Sequence, residues 1–422
     1  MSSRGWCARS LLAVGIVCAV VASGAGPAAS FPIPTPPAPV PTATPLGPHP
    51  VGVHVQTFEF EGRPLRVTTW YPATATGRAP YVTPTGISGT AVEDAPTDRS
   101  SGPYPLIVFS PGLGATGDGY YFYTQNLAST GYVVIGIDHW DATATAPGFG
   151  LADIPALLTG LPTRNMSDSV FSVFRNWFRA TEFGMTYRPQ EISFALDATL
   201  RRDSDAASPL SGLIDANRIG MSGQSLGATY TLLKGGMSVR CDHARQQRDV
   251  DVAAIVAIDP CALPAFQALS APDAVRDPRI KAILAMAPPT FLTKDVIGRG
   301  AADIEIPLMF LNGDDPYWET QRDPQWTIYS AAAGPKYFVE IKNTDHMVVC
   351  DSASLNPLVR PLLPPWDHRP EEFAAKANAY MRYSSAFFDR YLNGDPTADD
   401  VLNAPLSDQV AAMHQGSQLV PR

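Results

Sequence analysis

A short stretch with an apolar core, Arg218-Ile219-Gly220-Met221, runs almost directly into Gly223-Gln224-Ser225-Leu226-Gly227, and an apolar helical pattern begins at Leu226. Few folds tolerate that order. A Gly-x-Ser-x-Gly between a buried strand and a helix describes a turn so sharp that its serine adopts strained backbone angles. The glycines two positions away on either side keep Cβ atoms out of the tight contact between strand and helix. The Ser225 hydroxyl is then expected at the head of a helix, whose free N–H groups favour developing negative charge. An ordinary glycine-rich turn is the plain alternative, and placement between strand and helix disfavours it.

The surrounding pattern agrees. Val51–Phe60 and Leu65–Tyr71 alternate polar and apolar residues, as an antiparallel opening pair does. Pro105–Phe109 and Tyr132–Ile137 are short continuous apolar runs, the mark of strands buried on both faces of a parallel sheet. Tyr120–Ser129 reads as the helix between them, and Pro189–Arg201 as a second, with Ile192, Ala195, Leu196 and Leu200 on one face. Strands are expected at Arg218–Met221, Ile280–Met286, Pro307–Leu311 and Tyr337–Ile341, and a long amphipathic helix at Glu371–Tyr391. This alternation predicts an α/β fold: a mostly parallel central sheet with helices on both faces.

Serine needs a base to take its proton, and a carboxylate to hold that base in its working tautomer. Seven histidines are present. His49 and His54 lie in or beside a proline-rich segment, His243 lies in an irregular stretch, and His139 ends a strand well before the serine. His368 and His414 fall at or beyond the start of the last helix. His346 follows the last strand, at the sheet edge expected to carry Ser225, and respects the chain order Ser, acid, His of α/β-hydrolases. For the acid, Asp314 and Asp315 both end the strand Pro307–Leu311, and Asp259 is a third candidate. Oxyanion donors are expected from the backbone N–H of Leu226, the residue after the serine, and of Leu113, in the loop Ser110-Pro111-Gly112-Leu113-Gly114 after the first parallel strand. No Walker lysine, His-Glu-x-x-His or spaced Cys/His pattern occurs, and neither a cofactor nor a metal is expected.

Composition narrows the setting. Of 422 residues 45% are hydrophobic and 17% charged, which excludes a disordered acidic chain or a coiled coil. The net charge of −9 disfavours nucleic acid as a partner. Arg4 and Arg9 precede an apolar run, Leu11–Val21, too short to span a bilayer, followed by small residues. That reads as an export signal over 1–26, and a secreted protein without stable membrane insertion is expected. Ten prolines between Pro27 and Pro50 read as an extended spacer. Beyond it, residues 51–395 read as one domain and 396–422 as a tail. Within the domain, 141–187 reads equally as a lid or as an excursion that covers the sheet, and 241–277 as an insertion. Cys241, Cys261 and Cys350 remain once the signal is removed, enough for one disulfide. Cys241–Cys261 is expected, because both lie in the one insertion, with Cys261–Cys350 as the rival. A monomer is expected.

Tyr104–Gly114, Leu127-Ala128-Ser129-Thr130-Gly131-Tyr132, Ile219–Gly227 and Asp277-Pro278-Arg279-Ile280-Lys281-Ala282 together resemble the secreted bacterial α/β-hydrolases related to platelet-activating-factor acetylhydrolase, dienelactone hydrolase and cutinase-like polyesterases. The resemblance implies hydrolysis of carboxylic esters, whether lipid-like, small or polymeric. Its dienelactone-hydrolase and polyesterase side implies Asp315 as the acid over Asp314, and both over Asp259, and in some of its polyesterases a disulfide braces the histidine loop, as the rival Cys261–Cys350 would. The chain departs from the acetylhydrolases in having Gln224 before the serine and Pro111-Gly112 in the oxyanion loop, where those enzymes have histidine. The animal acetylhydrolases carry the acid after the sixth strand, where this chain has Ala287-Pro288. Two other functions compete: an acyltransferase using the same triad, and a non-catalytic binding module on a hydrolase fold.

Overall fold

The computed structural model describes residues 40–41, 43–84, 86–143, 176–177, 180–240, 260–271, 273–289, 300–314, 325–344, 351, 370–404, 410–415 and 418–419. The expected export signal, most of the spacer, and residues 144–175 and 241–259 of the two excursions lie outside these residues.

Among the described residues nine longer strands build the main sheet: β1 (Val51–Phe60), β2 (Arg63–Pro72), β3 (Tyr104–Ser110), β4 (Val133–Asp138), β5 (Ile214–Gln224), β6 (Ile280–Met286), β7 (Leu308–Gly313), β8 (Lys336–Ile341) and β9 (Val410–Gln415). They lie in the order β1-β2-β4-β3-β5-β6-β7-β8-β9, and the two-residue strands Val92–Glu93 and Gln418–Leu419 complete the edges, eleven strands in all. From β4 through β3 to β8 every ladder is parallel. β1 and β2 pair antiparallel, β2 joins β4 antiparallel, and β9 joins β8 antiparallel.

The parallel strands are apolar at successive positions because both faces are covered. Leu106 and Val108 of β3 enter one core, while Ile107 and Phe109 enter the other. β6 divides its side chains the same way, with Ile283 and Ala285 on the first face and Ala282, Leu284 and Met286 on the second. Helices α2 (Arg188–Ser204) and α3 (Leu226–Lys234) pack into the first core; α1 (Tyr121–Ser129) and α4 (Pro370–Phe388) pack into the second. Each large aliphatic or aromatic side chain removed from water in this way contributes roughly 1.5–3 kcal/mol.

One consequence of this layering positions the site. β3 and β5 are neighbours, yet the chain leaves β3 toward α1 on one face and β5 toward α3 on the other. Between diverging segments a crevice opens at the carboxyl ends of the strands, where α/β sheets place ligands. The loop after Ser110 and the turn at Ser225 line it.

Two expected boundaries move. Residues 43–50, read as the end of a spacer, pack along α1. Leu46 N–H donates to Asn126 Oδ1 at 2.9 Å, Gly47 N–H to Ser129 Oγ at 3.0 Å, and the Gln125 amide to the Ala43 carbonyl at 2.9 Å. At the other end, residues 396–422 were read as a tail, yet β9 lies within them and extends the sheet beyond β8. A proline-rich run satisfies few of its own backbone groups, and an open β8 edge offers unpaired ones, so both segments dock where the domain supplies partners.

The excursions meet each other. Phe183, fully buried, packs edge-to-face on Phe266 with ring centroids 5.7 Å apart, and the Ala265 N–H donates to the Glu182 carboxylate. Trp177, Met185 and Tyr187 are buried in the first core, so the described end of the 141–187 segment is cover for the sheet. Cys261 is disulfide-bonded. Cys241 and Cys350 lie outside the described residues.

Candidate active site

β5 hands over to α3 at Ser225, whose φ of 54° and ψ of −124° lie in a region that residues with a Cβ rarely adopt. Such a conformation costs on the order of 1–3 kcal/mol and persists only where the surroundings dictate it. They do so here. The Ser225 N–H donates to the Met286 carbonyl at 2.9 Å, and the Ser225 carbonyl accepts from Ala228 and Thr229 as the helix starts. A Cβ on Gly223 would lie 2.5 Å from the Gly227 carbonyl oxygen, and one on Gly227 would lie 1.9 Å from that of Ser110. Glycine at both places is therefore a steric requirement. The Ser225 hydroxyl oxygen is buried and has no hydrogen-bond partner among the described residues.

The expected oxyanion loop lies against this serine. A Cβ built on Gly112 would fall 3.4 Å from Ser225 Cβ and 2.7 Å from Gln224 Oε1. Gly112 N–H donates to the Tyr120 hydroxyl at 3.0 Å, which in turn donates to Gln224 Oε1 at 2.8 Å. Gln224, the departure from the acetylhydrolase pattern, thus links the serine turn to the loop after Ser110. Leu226 is the first residue of α3, where an N–H has no intrahelical acceptor. The structure brings Ser225, Leu226 and the loop carrying Leu113 into one crevice.

Asp314 follows β7. Its N–H donates to the Ile341 carbonyl at 3.1 Å and its Oδ1 accepts from Thr344 N–H at 3.4 Å, so it ties the end of β7 to the segment leading toward 346. Asp315, Asp259 and His346 lie outside the described residues. The position after β6 holds no carboxylate. Ala287, at φ 50°, donates its N–H to Asn312 Oδ1 at 3.0 Å, and Asn312 donates to Gln325, whose amide reaches the Pro288 carbonyl. Buried amides close that corner.

A second chain of polar groups, absent from the sequence reading, lies under the loop. His139 Nε2 is 2.9 Å from Ser110 Oγ and its Nδ1 is 2.7 Å from Glu191 Oε2, all three side chains fully buried. Burial, assisted by the Arg188 charge, holds the imidazole below its ordinary range, so a neutral ring donates to the carboxylate and accepts from Ser110. Arg63 also pairs with Glu191. Burial pushes the Glu191 carboxyl up, and the bonds from His139 and Arg63 outweigh it and leave the group below its usual range. These groups repeat the order of a catalytic triad, but they face a closed core and join the ends of β3 and β4 to α2.

Arg188, fully buried, donates to the carbonyls of Pro111 at 2.8 Å and Gly112 at 3.0 Å and pairs with Asp141 at 2.5 Å. A signal for it existed in the sequence. Arg188 and Glu191 occupy the same helical face as Ile192 and Ala195, a spacing that buries charge on the apolar side of α2. Among the described residues no group of three or more His, Cys, Asp or Glu is placed to hold a metal ion, and no helix is long and apolar enough to cross a membrane.

The sheet order, the serine turn and the loop beside it are those of the α/β-hydrolase fold. Residues 81–157 match the family model described as platelet-activating factor acetylhydrolase, isoform II. The fold is similar to that of a ferulic acid esterase from Streptomyces cinnamoneus, with a TM-score of 0.55 and 21% identity over 88% of this chain and 97% of that one. No curated protein is similar enough to count as a match. The chain has the α/β-hydrolase fold.

Proposed function

We propose that the chain is an exported hydrolase of carboxylic esters that works through an acyl-enzyme on Ser225. In this reading His346 takes the hydroxyl proton as Ser225 Oγ attacks the ester carbonyl, and Asp315 orients the imidazole. The Leu113 and Leu226 N–H groups receive the oxyanion. Collapse of the tetrahedral intermediate returns the proton to the departing alcohol. Water, activated by the same histidine, then attacks the acyl-enzyme and releases the acid. Substrates are lipid-like, small or polymeric esters.

The observation that carries the reading is Ser225 itself: a strained backbone, a buried hydroxyl without a partner among the described residues and two glycines that admit no Cβ, beside the Gly112 loop. Strain of this kind, held by surrounding structure, accompanies function. The test is a hydrolysis profile over p-nitrophenyl esters of increasing acyl length and a polyester film, with Ser225→Ala as control and mass-spectrometric mapping of fluorophosphonate labelling. Hydrolysis lost in the variant, with label on Ser225, supports it. Alcohol acceptors that outcompete water would make the protein an acyltransferase. Absence of turnover and of label would leave a binding module.

A further inference from the structure

We propose that Arg188 is a positioning residue for the oxyanion donor on Leu113. The inference rests on the ester-hydrolase reading above and adds a residue to it. A guanidinium with no exposed surface needs a counter-charge and acceptors; both Nη atoms of Arg188 find them, while its Nε has no hydrogen-bond partner among the described residues. Here one carboxylate, Asp141, supplies the counter-charge, and two of the remaining contacts go to main-chain carbonyls, Pro111 and Gly112. Those carbonyls belong to consecutive peptides of the loop beside Ser225. The planar fork of arginine suits two acceptors at once, where a lysine ammonium is a point charge on a flexible stem.

Holding the Gly112 carbonyl has a geometric result. That oxygen and the Leu113 N–H belong to one trans peptide, in which C=O and N–H point in opposite directions across a rigid plane. With the oxygen fixed on Arg188 and on Ala115 N–H at 3.2 Å, the Leu113 N–H is directed away from the arginine. The preceding N–H, that of Gly112, is already given to Tyr120. Gly114 N–H reaches Asp141 Oδ2 at 3.4 Å, so the Arg188–Asp141 pair touches the loop on both sides of Leu113. Among the described residues nothing accepts from Leu113 N–H. A cation on the carbonyl also polarises the amide, which strengthens the opposite N–H as a donor. Oxyanion donors accelerate a reaction only if they are fixed before charge develops, and Arg188 supplies that rigidity from beneath.

The test compares wild type, Arg188→Lys and Asp141→Asn, each normalised by fluorophosphonate titration of active sites. We expect Arg188→Lys to lower kcat per titrated site about 10- to 100-fold with KM within threefold. Affinity for a trifluoromethyl ketone, which binds as an oxyanion adduct, should fall in parallel. This is a fraction of the 10²–10³ lost when a donor is removed outright. Asp141→Asn leaves the guanidinium in place but loosens it, and should show the same pattern at about 3- to 10-fold. A purely structural role would lower melting temperature and the titratable fraction while leaving kcat per site and inhibitor affinity unchanged, and that result overturns the inference. If Arg188→Lys does not fold, Asp141→Asn decides by the same criteria. Wild-type activity that depends on Ser225 but is indifferent to both substitutions sinks this inference alone. A wild type that turns over no ester but is still labelled at Ser225 is read by its labelling rate, with the same drops expected. Failure to label Ser225 at all overturns both readings.

Discussion

Gly227 and Ser110 meet backbone to backbone: a Cβ on the glycine would stand 1.9 Å from the Ser110 carbonyl oxygen and 2.6 Å from that of Pro111. The head of α3 and the end of β3 are thus held at the separation that brings the loop after Ser110 against Ser225. Any side chain at 227 must push the two apart. Gly227→Ala should destabilise the protein by about 1–3 kcal/mol or more and lower kcat by at least tenfold in the fraction that stays folded. Thermal melts alongside active-site titration measure both. A variant with wild-type kcat would mean that the separation is immaterial to the chemistry.

The candidate acids separate by substitution. Asp315→Asn should lower kcat by orders of magnitude, because a neutral amide holds the histidine in the wrong tautomer. Asp314→Asn should be mild, because its Oδ1 accepts from the Thr344 N–H and an amide oxygen can do the same. Asp259→Asn should also be mild. If Asp259→Asn alone abolished hydrolysis, the acid would lie before β6, and the assignment of Asp315 would fall.

Lys234, at the end of α3, offers a pH test. Burial pushes its ammonium down from 10.5 to about 8, and its Nζ donates to Ser193 Oγ at 2.7 Å. Between those two pH values the unfolded chain binds the proton that the folded chain has lost, so stability from this group rises as pH climbs from about 8 to 10.5. Lys234→Met removes that slope. The wild type should gain on the variant by on the order of 2–3 kcal/mol between pH 7 and 10.5, read from denaturant unfolding of both proteins across the range. A difference that does not change with pH would show the ammonium to be solvated.

For the disulfide at Cys261, non-reducing peptide mapping should return a peptide crosslinked to Cys241, closing a loop of about 20 residues that stabilises by roughly 3 kcal/mol. A crosslink from Cys261 to Cys350 would transfer the brace to the segment after His346 and overturn that pairing. Reduction should then affect kcat more than melting temperature.

How far the sequence determined this protein follows from the range of the forces involved. The continuous apolar runs at 105–109 and 132–137 read as strands covered on both faces, and both cores bear this out. The Gly-x-Ser-x-Gly turn was legible for a similar reason. Steric exclusion of Cβ acts over a few residues, so Gly223 and Gly227 announce Ser225 without knowledge of the rest of the chain. What stayed illegible depends on partners far apart in sequence. Arg188 meets Pro111 and Gly112 across more than seventy positions, and Tyr120 meets Gln224 across more than a hundred. His139 was passed over because it ends a strand early in the chain, yet the sheet order sets it beside Ser110 and under Glu191. The strand that extends the sheet from within the expected tail was missed likewise, since an edge is recruited by the open β8 rather than by its own pattern. Local sterics and periodicity therefore determined the fold class and the serine turn; tertiary packing decided which buried charges the loop after Ser110 rests on, because a charge inside a protein is held only by the partners that the whole fold brings to it.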